Sequence, residues 1–194
     1  KVKAYVLFVA VALLAVSAGT KNAKPTVGIN PGDFAPRIES LGTESNFSFQ
    51  NHSGRYTLLN FWATYDAESR ARNVQLWNEV NKLSSDKIAM YSISLDEKEP
   101  FLLKGKADKL EGTKQFHEEL GRKSELFGKY NLQKGFCNFL IDDKGVIIAA
   151  NVAPEDLTKV LKKVNQQIIS KKVVVLIKRG SSFFIILVYF VDSS

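Results

Sequence analysis

Residues 60–70 (NFWATYDAESR) place a carboxylate, Asp66, and a hydroxyl, Ser69, three positions apart. A serine can act as a nucleophile only when a base lies within hydrogen-bond reach. The two histidines of the chain, His52 and His117, belong to other segments, so the sequence supplies no evident base. No His or Cys pair has the spacing of zinc ligands either. We therefore expect no metal and no cofactor.

Asp66 has two interpretations that follow from its residue type. Aspartate is a preferred helix N-cap, which stabilises a helix by about 0.5–2 kcal/mol relative to alanine. The alternative is an acid–base or cation-binding group, assisted by Glu68. Glu68 and Arg72 are four positions apart, which predicts an ordinary ion pair on a helix surface.

Cys137 is the single cysteine of the chain. One cysteine excludes an intramolecular disulfide and a dithiol reaction cycle within one chain. A lone cysteine on an apolar strand is usually a small buried hydrophobe. The alternative is a reactive monothiol; if the fold brought Cys137 close to Asp66, the negative charge of that carboxylate would raise the thiol pKa.

The composition is that of an ordinary globular protein with a modest basic excess. Of 194 residues, 45% are hydrophobic and 24% are charged, and the formal net charge is +7. The basic residues are not interleaved with aromatic residues in a nucleic-acid-binding motif. We therefore expect no nucleic-acid partner.

The N-terminal region has the pattern of a targeting segment. In residues 1–18, Lys1 and Lys3 precede an apolar stretch that ends in Val-Ser-Ala, as in secretory signal peptides. An uncleaved membrane anchor is the alternative. Residues 19–31 are polar and contain Pro and Gly, which predicts a linker. We expect export to the periplasm or cell envelope.

The C-terminal residues 171–194 form a hydrophobic tail. Two apolar runs, Val173–Ile177 and Phe183–Val191, flank a Gly-Ser segment, and this pattern predicts a β-hairpin. Membrane association through the tail is a second interpretation, which the two central cations disfavour.

Hydrophobic patterning in residues 32–170 predicts one α/β domain in the order β-β-α-β-α-α-β-β-α. Nearly continuous apolar runs at Tyr56–Ala63 and Ile88–Leu95 predict strands covered on both faces. A helix should begin at Asp66, with Val74, Trp77, Val80 and Leu83 on its buried face and Leu76 alongside them. The remaining predicted elements are a half-buried strand at Phe47–Phe49, helices at Phe101–Leu110 and up to Tyr130 from a cap at Ser124, strands at Phe136–Ile141 and Val146–Ala150 around a hairpin turn, and a last helix from Pro154 that buries Leu157, Val160, Leu161, Val164 and Ile168.

Four blocks in order resemble the exported thioredoxin-like family of the TlpA/ResA type. They are Gly32–Pro36, Leu58–Thr64, Tyr130–Leu132 with Phe139–Asp142, and Asp143–Ile147. The resemblance implies a thioredoxin fold, in which a central mixed sheet is flanked by helices. An N-terminal β-hairpin extension is expected to precede it.

Three hallmark positions of that family are changed together. The two cysteines of its C-x-x-C motif correspond to Asp66 and Ser69, and its cis-proline corresponds to Phe136. A cis bond before a residue other than proline costs about 2.5–4 kcal/mol, so we expect a trans peptide there. Dithiol exchange needs an attacking thiolate and a resolving thiol, which a carboxylate and a hydroxyl cannot replace.

Two functional hypotheses follow from the resemblance. The first is a redox-inactive binding or scaffolding module, in which Trp62, Tyr65 and Phe136 contact a polypeptide in the former active-site groove. In a variant of it, Phe136 simply fills the groove and nothing binds. The second is a thiol–disulfide oxidoreductase that acts as a monothiol through Cys137.

Overall fold

The computed structural model describes residues 26–41, 44–45, 49, 55–97 and 114–179. Of residues 40–41, 44–45 and 170–179 it describes only the backbone. The regular elements in these ranges are strands β1 (Ser40–Leu41), β2 (Glu44–Ser45), β3 (Tyr56–Trp62), β4 (Ile88–Ser94), β5 (Lys114–His117), β6 (Asn138–Ile141) and β7 (Ile147–Ala150), and helices α1 (Ala67–Asn81), α2 (Glu125–Lys129) and α3 (Leu157–Arg179).

Five strands form the central mixed sheet, in the order β5-β4-β3-β6-β7. Strands β3, β4 and β5 are parallel, whereas β6 is antiparallel to β3 and β7 is antiparallel to β6. A separate antiparallel pair, β1 and β2, precedes them. The mixed sheet, the N-terminal hairpin and the expected fold class are therefore confirmed.

The sheet is covered on both sides, which explains why its central strands are apolar throughout. Successive side chains of a strand point to opposite faces, so Leu58 joins one core cluster and Leu59 joins the other. One cluster includes Leu76 of α1 and Leu157 of α3. The other includes aromatic residues of α2 and β6, such as Tyr130 and Phe139.

Helix α1 buries Leu76 and Val80 as predicted, but two polar residues share its buried face with them. Its buried residues are Ser69, Asn73, Leu76 and Val80. The predicted residues Val74, Trp77 and Leu83 are only half-buried at the flanks, because two polar residues take part in the contact with the sheet. In α3, Leu157 and Leu161 are buried as predicted, but Ile168 is exposed.

Strand β5 was not predicted, because its sequence, KQFH, is short and mostly polar. Its Phe116 ring stacks on Tyr91 at a centroid distance of 5.9 Å. Phe49, the one described residue of the predicted strand at 47–49, lies in a helical turn. The predicted helix at 101–110 lies outside the described residues.

The predicted turn at residues 142–145 joins β6 and β7. The Asp142 Oδ1 atom accepts hydrogen bonds from the backbone N–H groups of Lys144 and Val146. Gly145 has φ +86, a value that glycine adopts without strain.

The N-terminal segment packs against this hairpin from residue 26 onward. The Gly32 N–H donates to Ile147 O, and the Ile147 N–H donates to Asp33 O. The Thr26 carbonyl also accepts from Phe34 N–H. Part of the predicted linker at 19–31 thus contacts the start of the domain, since Thr26 and Gly28 both bond to the backbone of Phe34.

Helix α3 continues through Arg179. The predicted C-terminal hairpin is therefore wrong for its first run, Val173–Ile177, which is helical. The second run, 183–191, lies outside the described residues. Among the helices of the described part, none combines the length and apolarity of a membrane span.

Candidate functional site

The candidate site begins where β3 ends and the chain turns into α1. The Asp96 carboxylate, at the end of β4, holds this turn: it accepts from Thr64 N–H at 3.0 and 3.1 Å and from Thr64 Oγ1 at 2.8 Å. Ser94 Oγ donates to it as well, at 2.5 Å. A buried carboxylate needs such donors, and here they fix the backbone that leads to Asp66.

Asp66 is the N-cap of α1, as its residue type predicts. Its backbone is extended, with φ −107 and ψ 102, and its Oδ1 atom accepts from Ser69 N–H at 2.7 Å. This bond satisfies one of the free N–H groups of the first helical turn. The interpretation of Asp66 as a cap is confirmed.

Ser69 is buried and fully engaged with the backbone. It retains 1% of its exposure. Its Oγ atom donates to Asp66 O at 3.2 Å and accepts from Ala63 N–H at 3.3 Å. The imidazole of His117 interacts with Asp96 O. Both hydrogen-bonding roles of the Ser69 hydroxyl are therefore taken by the backbone of residues 63–66, so Ser69 braces the turn into α1 instead of presenting a free nucleophile.

The loop of residues 135–137, which precedes β6, faces the start of α1. All peptide bonds of the described residues are trans, including the one before Phe136. Arg72 reaches this loop: its Nη2 atom donates to Phe136 O at 2.5 Å. Arg72 also lies 3.8 Å from the Glu68 carboxylate, in the predicted i,i+4 pair.

The structure separates the three aromatic residues of the predicted binding surface. Tyr65 is 54% exposed, and its ring centroid lies 6.1 Å from that of Phe136. The Arg122 guanidinium lies 5.7 Å from the Tyr65 centroid. Trp62 is fully buried. A molecule bound here would contact Tyr65 and Phe136, whereas Trp62 supports the site from within the core.

The Cys137 thiol is partly buried beside this surface. Burial raises its pKa to about 11, and the positive charge of Arg72 opposes that shift. A raised thiol pKa agrees with the expectation from the sequence, but the negative charge of Asp66 is not its cause. The cause is desolvation, which penalises the thiolate.

A buried polar network lies beneath α1. Asn60 Nδ2 donates to Asn73 Oδ1 at 2.8 Å, and Ser92 Oγ donates to the same oxygen at 2.5 Å. All three residues are fully buried. Buried networks of this kind favour one packing arrangement over others, so this one fixes α1 on the sheet.

Sequence reasoning missed both the network and the inward position of Arg72. Helical spacing could have indicated both features. One face of the helix, at i, i+3, i+4 and i+7, carries Ser69, Arg72, Asn73 and Leu76. As for metals, the part of the chain that the structure describes contains no group of three or more His, Cys, Asp or Glu residues that could hold an ion.

Comparisons with known proteins agree with this geometry. The chain is 30% identical over 128 residues to thioredoxin-like protein YneN of Bacillus subtilis. The matched region covers 64% of this chain and 72% of YneN. It is 66% identical to a thioredoxin-like protein from Parabacteroides distasonis, whose crystal structure matches with a TM-score of 0.66 over 72% of this chain and 99% of that one.

A third match shows the fold alone. It is the thioredoxin domain of a thiol-disulfide oxidoreductase from Bacteroides vulgatus, at 22% identity and a TM-score of 0.60, over 71% of this chain and 99% of that one. No protein-family model matches the chain. On the fold, the position of Asp66 and Ser69 at the strand-to-helix turn, and these two relatives, the chain belongs to the thioredoxin-like family, as a member with a single cysteine that has lost the C-x-x-C dithiol motif.

Proposed function

We propose that this chain is a redox-inactive thioredoxin-fold protein of the cell envelope that binds a polypeptide partner at the surface formed by Tyr65 and Phe136. One observation carries the first half of the proposal. The two positions of the cysteine pair hold Asp66, whose carboxylate caps α1, and Ser69, whose hydroxyl is bonded to the backbone of the preceding turn. Neither oxygen can form or resolve a mixed disulfide.

The monothiol alternative through Cys137 has less support. A thiol with a pKa of about 11 exists as thiolate in only about one molecule in ten thousand at pH 7, and the thiolate is the nucleophile. Partial burial further restricts the approach of a disulfide. Cys137 therefore serves better as a small core residue than as a reactive group.

Residue types and exposure support the binding role. Tyr65 and Arg122 are of the types enriched among residues that dominate binding energy at interfaces. Tyr65 is exposed beside the half-buried Phe136 ring, and the Arg122 guanidinium adds a cation near the tyrosine ring. Such a surface offers both stacking area and a charged contact to an extended chain.

Export is supported by the sequence of residues 1–18, which has the basic, apolar and small-residue regions of a signal peptide. N-terminal sequencing of protein recovered from a periplasmic fraction tests this part. Processing after residue 18 is expected, whereas an intact N-terminus in a cytoplasmic fraction would contradict export.

A disulfide-reduction assay tests the loss of redox chemistry. The purified protein is expected to reduce a disulfide-bonded peptide no faster than the Cys137→Ser variant does. The double variant Asp66→Cys/Ser69→Cys is the positive control, because the helix start favours a thiolate at position 66. Turnover by the natural chain above the Cys137→Ser variant would overturn the proposal.

Selection from a random peptide library tests the binding surface. Peptides selected on the natural chain are expected to bind the Tyr65→Ala variant at least about tenfold more weakly, which corresponds to about 1.4 kcal/mol. Val27→Ala is the matched control, since Val27 is an exposed apolar residue on the N-terminal segment. If no peptide is selected, or if Tyr65→Ala binds equally well, Phe136 merely fills the groove and the binding proposal fails.

A further inference from the structure

The loop before β6 is held by a side chain that comes from the opposite wall of the site. Arg72 lies on α1, and its Nη2 atom donates to Phe136 O at 2.5 Å across 64 positions of sequence. The Arg72 side chain retains 21% of its exposure, whereas Glu68 retains 91%. A buried guanidinium needs acceptors, and the Phe136 carbonyl is the close one.

The backbone of the loop is bonded on either side of Phe136, and on one side the Gly135 N–H donates to Leu132 O at 3.0 Å. The ladder between β3 and β6 is extended by one bond, from Phe61 N–H to Cys137 O at 3.0 Å, so Phe136 lies just outside it. A phenylalanine lacks the ring with which proline restricts φ. Gly135, with φ +127, adds further conformational freedom. The Phe136 carbonyl also needs a donor of its own, and Arg72 provides it.

We propose that Arg72 is a positioning residue that latches residues 135–137 to α1, and so keeps Phe136 beside Tyr65 and keeps Cys137 covered. The bond is charge-assisted, which makes it stronger than a neutral hydrogen bond. The importance of the latch for peptide binding rests on the proposed function. The effect of the latch on the exposure of the Cys137 thiol is independent of the proposed function.

Cys137 reports on the latch because Arg72 acts on its thiol in two opposite ways. Among the residues that the structure describes, two titratable groups interact electrostatically with the thiol, Arg72 on α1 and Tyr130 just after α2. Burial holds the pKa of Tyr130 far above its ordinary value, so Tyr130 stays neutral. The Arg72 charge favours the thiolate, whereas a closed loop excludes water and disfavours it.

The two effects predict opposite outcomes when Arg72 is replaced. If Arg72 acted only through its charge, Arg72→Gln would raise the thiol pKa further and slow alkylation. If Arg72 is a latch, the loop of Arg72→Gln opens locally, which exposes and hydrates the thiol. The thiol pKa then falls and alkylation becomes faster, although a positive charge has been lost.

The experiment measures the rate of Cys137 alkylation by iodoacetamide in the native protein as a function of pH. We expect Arg72→Gln to react about tenfold faster than the natural chain at pH 8, the change that a fall of about one pKa unit produces. Arg72→Lys, which keeps the charge but not the planar fork of donors, should also react faster. Glu68→Gln should leave the rate unchanged, since Glu68 is exposed.

A control separates the latch from a general loss of stability. Leu161→Ala weakens the core cluster on the other face of the sheet and leaves Arg72 and its acceptor in place. Equal acceleration in Leu161→Ala and Arg72→Gln, or a slower or unchanged rate in Arg72→Gln, would overturn the latch. The assay needs no ligand, so a failed peptide selection leaves this test intact, and a failed latch leaves binding at Tyr65 standing.

Discussion

The two walls of the site are held by contacts of very different range. At the start of α1, the bonds of Ser69 to Asp66 and Ala63 join residues that are three and six positions apart. At the facing loop, the bond from Arg72 to Phe136 joins residues 64 positions apart. The helix wall, residues 63–69, is held by bonds between neighbours in sequence. The loop wall, residues 135–137, is held by a contact that forms only when the domain folds.

This difference bears on how a thioredoxin-like domain tolerates the loss of its chemistry. The Asp66 side chain caps the first turn of α1, so the helix start is stable with a carboxylate at this position. Phe136 lacks the ring by which the proline that the resemblance implies at this position would restrict the backbone. The Phe136 backbone is held instead by the hydrogen bond from Arg72 of α1. One substitution at Arg72 should therefore disturb the loop wall more easily than the helix wall.

A substitution in the core cluster against which Phe136 and Cys137 pack should have the largest effect. Phe61→Ala is expected to destabilise the domain by about 3–5 kcal/mol, because Phe61 is fully buried and packs on Tyr130 and Phe139. Urea unfolding followed by tryptophan fluorescence measures this. The exposed Tyr65→Ala is the control, with a change within about 0.5 kcal/mol. A loss below about 1 kcal/mol for Phe61→Ala would mean that this aromatic cluster does not anchor the loop side of the site.

Substituting the N-cap residue Asp66 should destabilise the start of α1 and leave the loop of residues 135–137 unchanged. Asp66→Ala is expected to lower the free energy of unfolding by about 0.5–2 kcal/mol, while Asp66→Asn, which keeps an accepting oxygen, should retain most of the stability. Denaturant unfolding of the three proteins gives these values, and the Cys137 alkylation rate should not change. If Asp66→Asn is destabilised as much as Asp66→Ala, the negative charge at the helix start matters more than the hydrogen bond.

The sequence predicts the helix wall well because that wall is local. Asp66 as a cap, the hairpin turn at Asp142 and the buried strand β3 follow from residue type and spacing within a few positions. The predicted pair of Glu68 and Arg72 is also present at 3.8 Å. In each case the partners lie close enough in sequence for pattern and propensity to identify them.

The loop wall and the edges of the fold could not be predicted in this way. Arg72 looks like a surface residue until the fold brings Phe136 to it. Strand β5 is polar at most of its positions, and it is a strand because Tyr91 and the rest of β4 pair with it. The helix through Val173–Ile177 overrides the β propensity of valine and isoleucine, since α3 simply continues.

A pH titration sharpens the contrast at the loop wall. The pKa of Cys137 is raised to about 11 from 9.0, so between these values the unfolded chain loses the thiol proton while the folded chain keeps it. The stability that this thiol contributes is fully present below pH 9 and is lost as the pH rises toward 11. The difference in unfolding free energy between the natural chain and Cys137→Ser should therefore fall over this range. A difference that does not vary with pH would mean that the thiol is hydrated in the native state.

The smallest effect is expected at the exposed partner of Arg72. Glu68→Gln should change the free energy of unfolding by no more than about 0.5 kcal/mol, because exposed pairs on helices contribute little and are screened by salt. A double-mutant cycle with Arg72→Gln at low and high salt isolates the pair. A coupling above about 1 kcal/mol that persists at high salt would make Glu68 a member of the latch, and the helix wall and the loop wall would then be joined by a network of three residues instead of one hydrogen bond.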